Sequence, residues 1–237
     1  MRIDIWSDVA CPFCYIGKAT LDKALQDFDH RDSVDLVYHS FLLNPGQAVE
    51  PKGDLHDYLS KKMGVSREQA QAMNQQVSAR ANEVGLAWNM DQTIPTNLID
   101  AHRLLHFAAE HGRQQQLLNL MFSAYFTEGR HLGHADVLAE LAEQAGLDRA
   151  QALEVLQSER YLVEVQNDVD HAHRLGIQGV PFFVINDKYG ISGAQPQPIF
   201  TQALQQAWQD EHPLQMVGLA EDATCTDDAC TIDVTKS

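Results

Sequence analysis

No apolar run in this sequence approaches the ~20 residues that a membrane-crossing helix needs, so no membrane partner is expected. Basic charge is scarce. Seventeen lysines and arginines stand against 33 acids, a formal charge of −16. A field of that sign repels phosphate backbones and argues against nucleic acid as a partner. The opening "MRIDIWSDVACPFC" lacks the basic n-region and long apolar h-region of a secretory signal. A cytoplasmic address is expected, where structural disulfides are rare and dithiols tend to be catalytic, redox-sensing or metal-bound. Cysteine is sparse, four in 237 residues, and there is no internal repeat.

What is present is 44% hydrophobic residues, enough for a sizeable core. Residues 2–6, "RIDIW", alternate apolar and polar as a strand does. Pro12 suits the first turn of a helix, where a missing N–H costs nothing, and Leu21, Leu25 and Phe28 follow at helical spacing. "VDLVYHSFLL", 34–43, is rich in β-branched and aromatic residues and reads as a second strand. From about 54 to 175 helical periodicity takes over, about six helices in a row. One begins with Ser66 and Gln69 at capping-box spacing, and residues 149–176 read as a single long helix. Strand character returns at 179–186 and 189–193, and "PIFTQALQQAWQD" is a last helix.

This order predicts an α/β protein, a thioredoxin-like fold with a helical domain inserted between βαβ and ββα halves. The expected boundaries are 1–50 and 176–215 for the discontinuous thioredoxin-like domain and 51–175 for the helical insertion. Residues 216–237 form an acidic extension with few large apolar groups.

Cys11 and Cys14 flank Pro12 and Phe13 where the first strand meets the first helix. A thiol at a helix N-terminus faces unpaired N–H groups and the positive end of the helix dipole, which favour the thiolate nucleophile. Cys11 stands at that end, expected to be exposed, and Cys14 lies one turn in. The natural division of labour makes Cys11 the attacking thiol and Cys14 the resolving one. Zinc would need two further ligands, and the only other cysteines are Cys225 and Cys230. That second pair, in "CTDDAC", reads either as two incidental thiols or as an auxiliary dithiol that exchanges electrons with the first. No metal or organic cofactor is expected.

"GVPFF" places Val180–Pro181 at a strand entrance, usually an edge or bulge device. In this layout it falls where thioredoxin-like folds place a cis-proline facing the dithiol, and a cis bond would expose the Val180 backbone to an extended substrate. His171 and His173 are two apart on a helix, a poor metal geometry. His131 and His134 lie in a loop. His102 and His106 share a helix face and are expected near the core.

"CPFCYIG", "IPTNLIDAHRLLHFA" and "GVPFFVINDKYGISGAQP" together resemble the DsbA-like thioredoxin superfamily, and most of all its cytoplasmic FrnE-type branch of dithiol-disulfide oxidoreductases and isomerases. The resemblance spans residues 1 to about 212. It implies Cys11 and Cys14 as the redox pair, Pro181 as a cis-proline, and a substrate groove formed by Val180, Pro181, Pro12 and Phe13. Members of the branch with a C-terminal cysteine pair lend support to Cys225 and Cys230 as an auxiliary pair. Asn97 matches a position near the ligand groove. The oxidant DsbA carries histidine between its cysteines; here that position is Phe13, which offers no charge to a thiolate. Asp4 and Asp8 are expected to add negative charge nearby. Reductase or isomerase activity is therefore expected, on protein or small-molecule disulfides, with glutathione or a thioredoxin-type reductant as partner. The same superfamily holds kappa-class glutathione transferases and hydroxychromene-carboxylate isomerases, which resemble this pattern but with serine at the Cys11 position. A glutathione-dependent transferase or isomerase is the alternative within catalysis, and a non-catalytic chaperone or redox sensor the alternative outside it.

Overall fold

The computed structural model describes residues 1–50 and 52–213, with the backbone of two short strands in the tail. The chain opens with β1 (Arg2–Ser7), α1 (Pro12–Gln26) and β2 (Asp35–Ser40). Helices α2 (Leu55–Met63), α3 (Arg67–Glu83), α4 (Ile99–Glu110), α5 (Gln114–Phe126), α6 (Ala135–Gln144), α7 (Arg149–Leu156) and α8 (Leu162–Arg174) follow. Then come β3 (Phe182–Ile185), β4 (Tyr189–Ser192) and α9 (Gln197–Glu211). In the tail, β5 (Cys225–Thr226) pairs with β6 (Ala229–Cys230), and Cys225 stands opposite Cys230 in backbone register. The side chains of that pair lie outside the described residues.

The sheet order is β2-β1-β3-β4. β1 runs parallel to β2, as α1 allows by carrying the chain back over the sheet, and antiparallel to β3. β1 is central, and from Ile3 to Ser7 it is buried on both faces. Its period of two splits the load. Ile3 and Ile5 join the main core with Leu21 of α1 and Phe200 and Leu204 of α9. Trp6 points to the other face, among Phe41, Ala172 and Ile177. Trp6 is 1% exposed, so truncating it to alanine is expected to cost roughly 3–5 kcal/mol.

One apolar core runs from the sheet into the helical block: Leu104, Phe107, Leu117, Met121 and Phe122 sit in the same cluster as Ile3 and Ile5. A ladder of rings joins the two parts. Tyr15, one residue past the second cysteine, stacks on Phe122 at 4.9 Å and lies 6.0 Å from Trp88, which stacks on Phe126 at 4.6 Å. These contacts fix the start of α1 against α5.

The Ser66–Gln69 capping box forms as the spacing predicts. The expected single helix over 149–176 does not. It breaks into α7 and α8, giving seven α-helices between β2 and β3 among the described residues. Tyr161 takes a left-handed conformation, φ 63°, at the break. Arg103, buried in α4, explains it. Its guanidinium, paired with Asp100 through Nη1, donates to three carbonyls there: Nη2 to Val155 and Ser158 and Nε to Arg160, 2.8 Å away. A cation at the end of α7 satisfies carbonyls that a continued helix would have used, and it complements the dipole.

Candidate active site

The β1–α1 corner carries the dithiol. Cys11 is the N-cap of α1, with extended backbone (φ −90°, ψ 112°), and Pro12 takes the first helical position. The Cys14 N–H donates to the Cys11 carbonyl at 3.0 Å, which stacks the two thiols on one helix face. Both are free cysteines. Cys14 is 2% exposed. Burial pushes its thiol well above the usual range, and contact with Cys11 adds to this, while the Asp8 N–H and the Ser7 hydroxyl oppose it.

Cys11 is not exposed as expected: it too is buried, at 4%. The reason lies across the sheet. The Val180–Pro181 peptide is cis and the Cys11 Sγ donates to the Val180 carbonyl at 3.4 Å. Pro181 also presses on the helix itself. A Cβ added at Gly17 would stand 3.0 Å from Pro181 Cγ and 3.2 Å from Phe183 Cζ, so a larger residue there would have to push Pro181 or Phe183 back by a few tenths of an ångström.

Beside the motif opens a groove of about 680 Å³, lined mainly by apolar groups. Pro12 and Phe13 form one wall, Leu43 and Pro45 another, and Met63 and Met73 roof it from α2 and α3. Phe13, Leu43, Met63 and Met73 are all more than a third exposed. Two cations line it in an otherwise acidic chain, Lys62 and Arg80, and Arg80 also lies over the Phe13 ring at 5.6 Å. Asn97 acts on the groove from behind. Its amide donates to the Pro45 and Gln47 carbonyls at 3.1 and 2.9 Å and holds the 44–47 wall.

Asp8 and Asp4 part company in the structure. Asp8, 3% exposed, accepts the Ala10 and Leu43 N–H groups at 2.9 and 2.7 Å and meets His102 Nε2 at 3.4 Å. It therefore shapes the loop that carries Cys11. The expected influence of Asp4 on the dithiol is corrected: its carboxylate pairs with Arg2 and with His39 Nε2 at 2.7 Å. His39 also meets Asp168 at 2.9 Å and stacks on Trp6 at 4.6 Å. Sequence reading passed over this cluster, since Asp4, His39, His106 and Asp168 come from four different elements and only β1–β2 register and helix packing bring them together.

The remaining histidines behave structurally. His171 and His173 set their edges on Trp6 and Phe41. His131 and His134 do approach Glu50 closely enough to hold a metal ion. However, His131 Nδ1 accepts the Gly133 N–H at 3.2 Å, which leaves the proton on Nε2, the nitrogen that faces Glu50. That tautomer suits a hydrogen bond rather than ligation.

A dithiol at a helix N-terminus, facing a cis-proline across a β2-β1-β3-β4 sheet, places the chain in the thioredoxin-fold class. Within it the chain belongs to the DSBA-like thioredoxin domain family, whose match spans residues 2–205. A probable DsbA oxidoreductase from Streptomyces coelicolor is 43% identical, with coverage of 98% of this chain and 99% of its own and a TM-score of 0.85. The uncharacterized protein YwbO of Bacillus subtilis (strain 168) is 29% identical over 208 residues, 86% of this chain and 96% of its own. Two solved structures at 18% identity share the fold. One is a 2-hydroxychromene-2-carboxylate isomerase, TM-score 0.70, covering 91% of this chain and 100% of its own. The other is the cytosolic disulfide reductase DsbM of Pseudomonas aeruginosa, TM-score 0.62, covering 88% and 99%, which has also been solved with GSH.

Proposed function

We propose that this DsbA-like protein is a cytoplasmic thiol-disulfide oxidoreductase working as a reductase or isomerase, of the FrnE type. Cys11 attacks a substrate disulfide and Cys14 resolves the mixed disulfide. Val180 and Pro181 hold the substrate's backbone, and Pro12 and Phe13 receive its side chains. The observation that carries this reading is the pairing of Cys11 Sγ, 3.4 Å from the Val180 carbonyl, with a second thiol buried behind it. Burial and contact with Cys11 raise the Cys14 pKa and disfavour its thiolate, which supports Cys11, at the helix N-cap, as the thiol that attacks first. The uncharged Phe13 favours a less oxidising disulfide than a histidine at that place would. We take residues 1–50 and 176–215 as the redox domain, 51–175 as the helical insertion that walls the groove, and Cys225 and Cys230 as an auxiliary pair passing electrons to Cys11 and Cys14. Glutathione or a thioredoxin-type protein serves as reductant.

The test is reduction of insulin disulfides by dithiothreitol, with and without the protein, together with the Cys11–Cys14 reduction potential against glutathione. Catalysed insulin reduction and a potential below that of the glutathione pool support the reading. Absence of catalysis sinks it.

A second reading has one observation in its favour. The 680 Å³ groove is large enough for a small apolar molecule beside the dithiol, as a glutathione-dependent isomerase or transferase requires. Glutathione transfer to an apolar electrophile, without insulin reduction, would favour it.

A further inference from the structure

His102 lies in the first turn of α4, 1% exposed, and its surroundings are incomplete. Its Nε2 meets the Asp8 carboxylate at 3.4 Å, and its Nδ1 finds no hydrogen-bond partner among the described residues. A buried polar atom without a partner costs about 1–3 kcal/mol, so such an atom calls for an explanation. Nδ1 is not alone. The Tyr38 hydroxyl is also buried without a partner. Both residues line one small cavity, together with Ser7, His39 and Ser40. Its volume, about 10 Å³ of space for water centres, is close to what a single water occupies.

Ser7 connects this cavity to the dithiol: it lines the cavity, and its side chain lies close enough to Cys14 to favour the thiolate there. On the far wall the Ser40 hydroxyl lies 3.2 Å from His106 Nε2, and His106 is partly exposed. The cavity is thus a small enclosed space with apolar walls at Val9, Leu105 and Leu118 that brings Ser7, Tyr38 and His102 together.

We infer that His102, held by Asp8, takes the proton of Cys14 through Ser7 and a water in this cavity when the mixed disulfide is resolved. This rests on the proposed roles of Cys11 and Cys14. The balance of the step is as follows. The bond between the Cys11 sulfur and the substrate sulfur breaks, and a Cys14–Cys11 bond forms. The Cys14 sulfur is oxidised, and the substrate sulfur is reduced and leaves with the electron pair as a thiolate. The Cys14 proton passes by way of Ser7 to His102 Nδ1. The imidazolium so formed is stabilised by the Asp8 carboxylate at Nε2. His102 does not touch substrate, so it acts as a positioning and proton-holding residue. The titratable groups around it are Asp8 from the β1–α1 segment, Tyr38 and His39 from β2 across the cavity, Cys14 of α1 beyond Ser7 and, through Asp8, Tyr125 of α5.

The probe is 5,5′-dithiobis(2-nitrobenzoate) with the full chain, reduced, in single-turnover mode with the Cys225→Ser/Cys230→Ser background. Attack by Cys11 releases one nitrothiolate; resolution by Cys14 releases the second. In His102→Gln, whose amide can still donate to Asp8, the first phase should stay within about two-fold and the second slow by about ten-fold or more. The second phase of the variant should also become steep in pH, rising about ten-fold per unit, because hydroxide replaces the internal base, while that of the parent stays shallow. Ser7→Ala should slow the same phase and serves as the second variant if His102→Gln does not fold. A second phase unchanged in rate and pH profile in either folded variant overturns the inference. If the parent itself shows no second phase, or Cys14→Ser retains it, the dithiol reading falls and this inference with it.

Discussion

Two buried histidines flank β1, and their environments differ. His39 has carboxylates at both ring nitrogens, Asp168 at 2.9 Å and Asp4 at 2.7 Å, and Trp6 stacked on its face. Burial opposes its charge, but the two carboxylates outweigh burial and raise its pKa. Asp168 shows the mirror effect: burial is outweighed by hydrogen bonds from His106, His39 and the Ser40 N–H, and its carboxyl falls below the usual range. Every group there is saturated, and the cluster ties α8 to β1, β2 and α4. His102, by contrast, has one long contact to Asp8 and an open nitrogen. The same residue types thus make a fully paired structural cluster on one side of β1 and leave an unpartnered ring nitrogen on the other. The difference lies in the number of partners, not in burial.

Four experiments break or sharpen that contrast. The largest effect belongs to the dithiol end. Cys11→Ser should abolish disulfide exchange with little loss of stability, and Cys14→Ser should accumulate mixed disulfides visible by mass spectrometry. Faster alkylation of Cys14 than of Cys11 by iodoacetamide would reverse the assigned roles.

At the saturated end the effect should fall on stability instead. Asp168→Ala strips His39, His106 and the Ser40 N–H of a shared partner, and should cost about 3–5 kcal/mol in urea unfolding. The pH dependence has two limbs. The raised His39 contributes stability that is complete below about pH 6.5 and is lost as pH rises through its folded value. The lowered Asp168 contributes stability that is complete above about pH 4 and is lost as pH falls toward its folded value. Wild-type stability should therefore peak between those limits, and Asp168→Ala should flatten the peak. An unflattened peak would show that other groups set it.

Gly17→Ala probes how closely α1, which carries the dithiol, sits against Pro181. Helix propensity favours alanine by about 1 kcal/mol. Overpacking against Pro181 and Phe183 costs about 1–3 kcal/mol, so the net expectation is a loss of about 1 kcal/mol with a several-fold slower exchange. A stabilised, fully active variant would show that Pro181 yields easily.

The smallest effect should come from the tail. Removing residues 221–237, or the double change Cys225→Ser/Cys230→Ser, should leave unfolding unchanged and the stoichiometric reaction intact. Turnover with a physiological reductant should fall severalfold, because a tethered dithiol acts at roughly millimolar effective concentration. Equal turnover in both would leave Cys225 and Cys230 as incidental thiols.

Much of the fold was legible because it rests on local signals. The alternation of "RIDIW", the Cys-Pro start of α1 and the Ser66–Gln69 box each act within a few residues, and each element formed. The expected helix over 149–176 failed because its break is imposed by Arg103, some 50 residues earlier in the chain, which no local pattern registers. The same holds for Asp4. Proximity in sequence placed it near the dithiol, but strand alternation turns its side chain away toward His39.

By itself the sequence determined the α/β order, the helix that begins on a Cys-x-x-Cys pair, and the proline that enters β3, since turn, capping and periodicity preferences are properties of short segments. Only the tertiary structure decided that Cys11 is buried beneath the Val180 carbonyl, that Asn97 braces a groove wall, and that two histidines on either side of one strand differ in their partners. Those outcomes depend on distances between elements that the chain brings together from far apart, and such distances are set by the packing of the whole core.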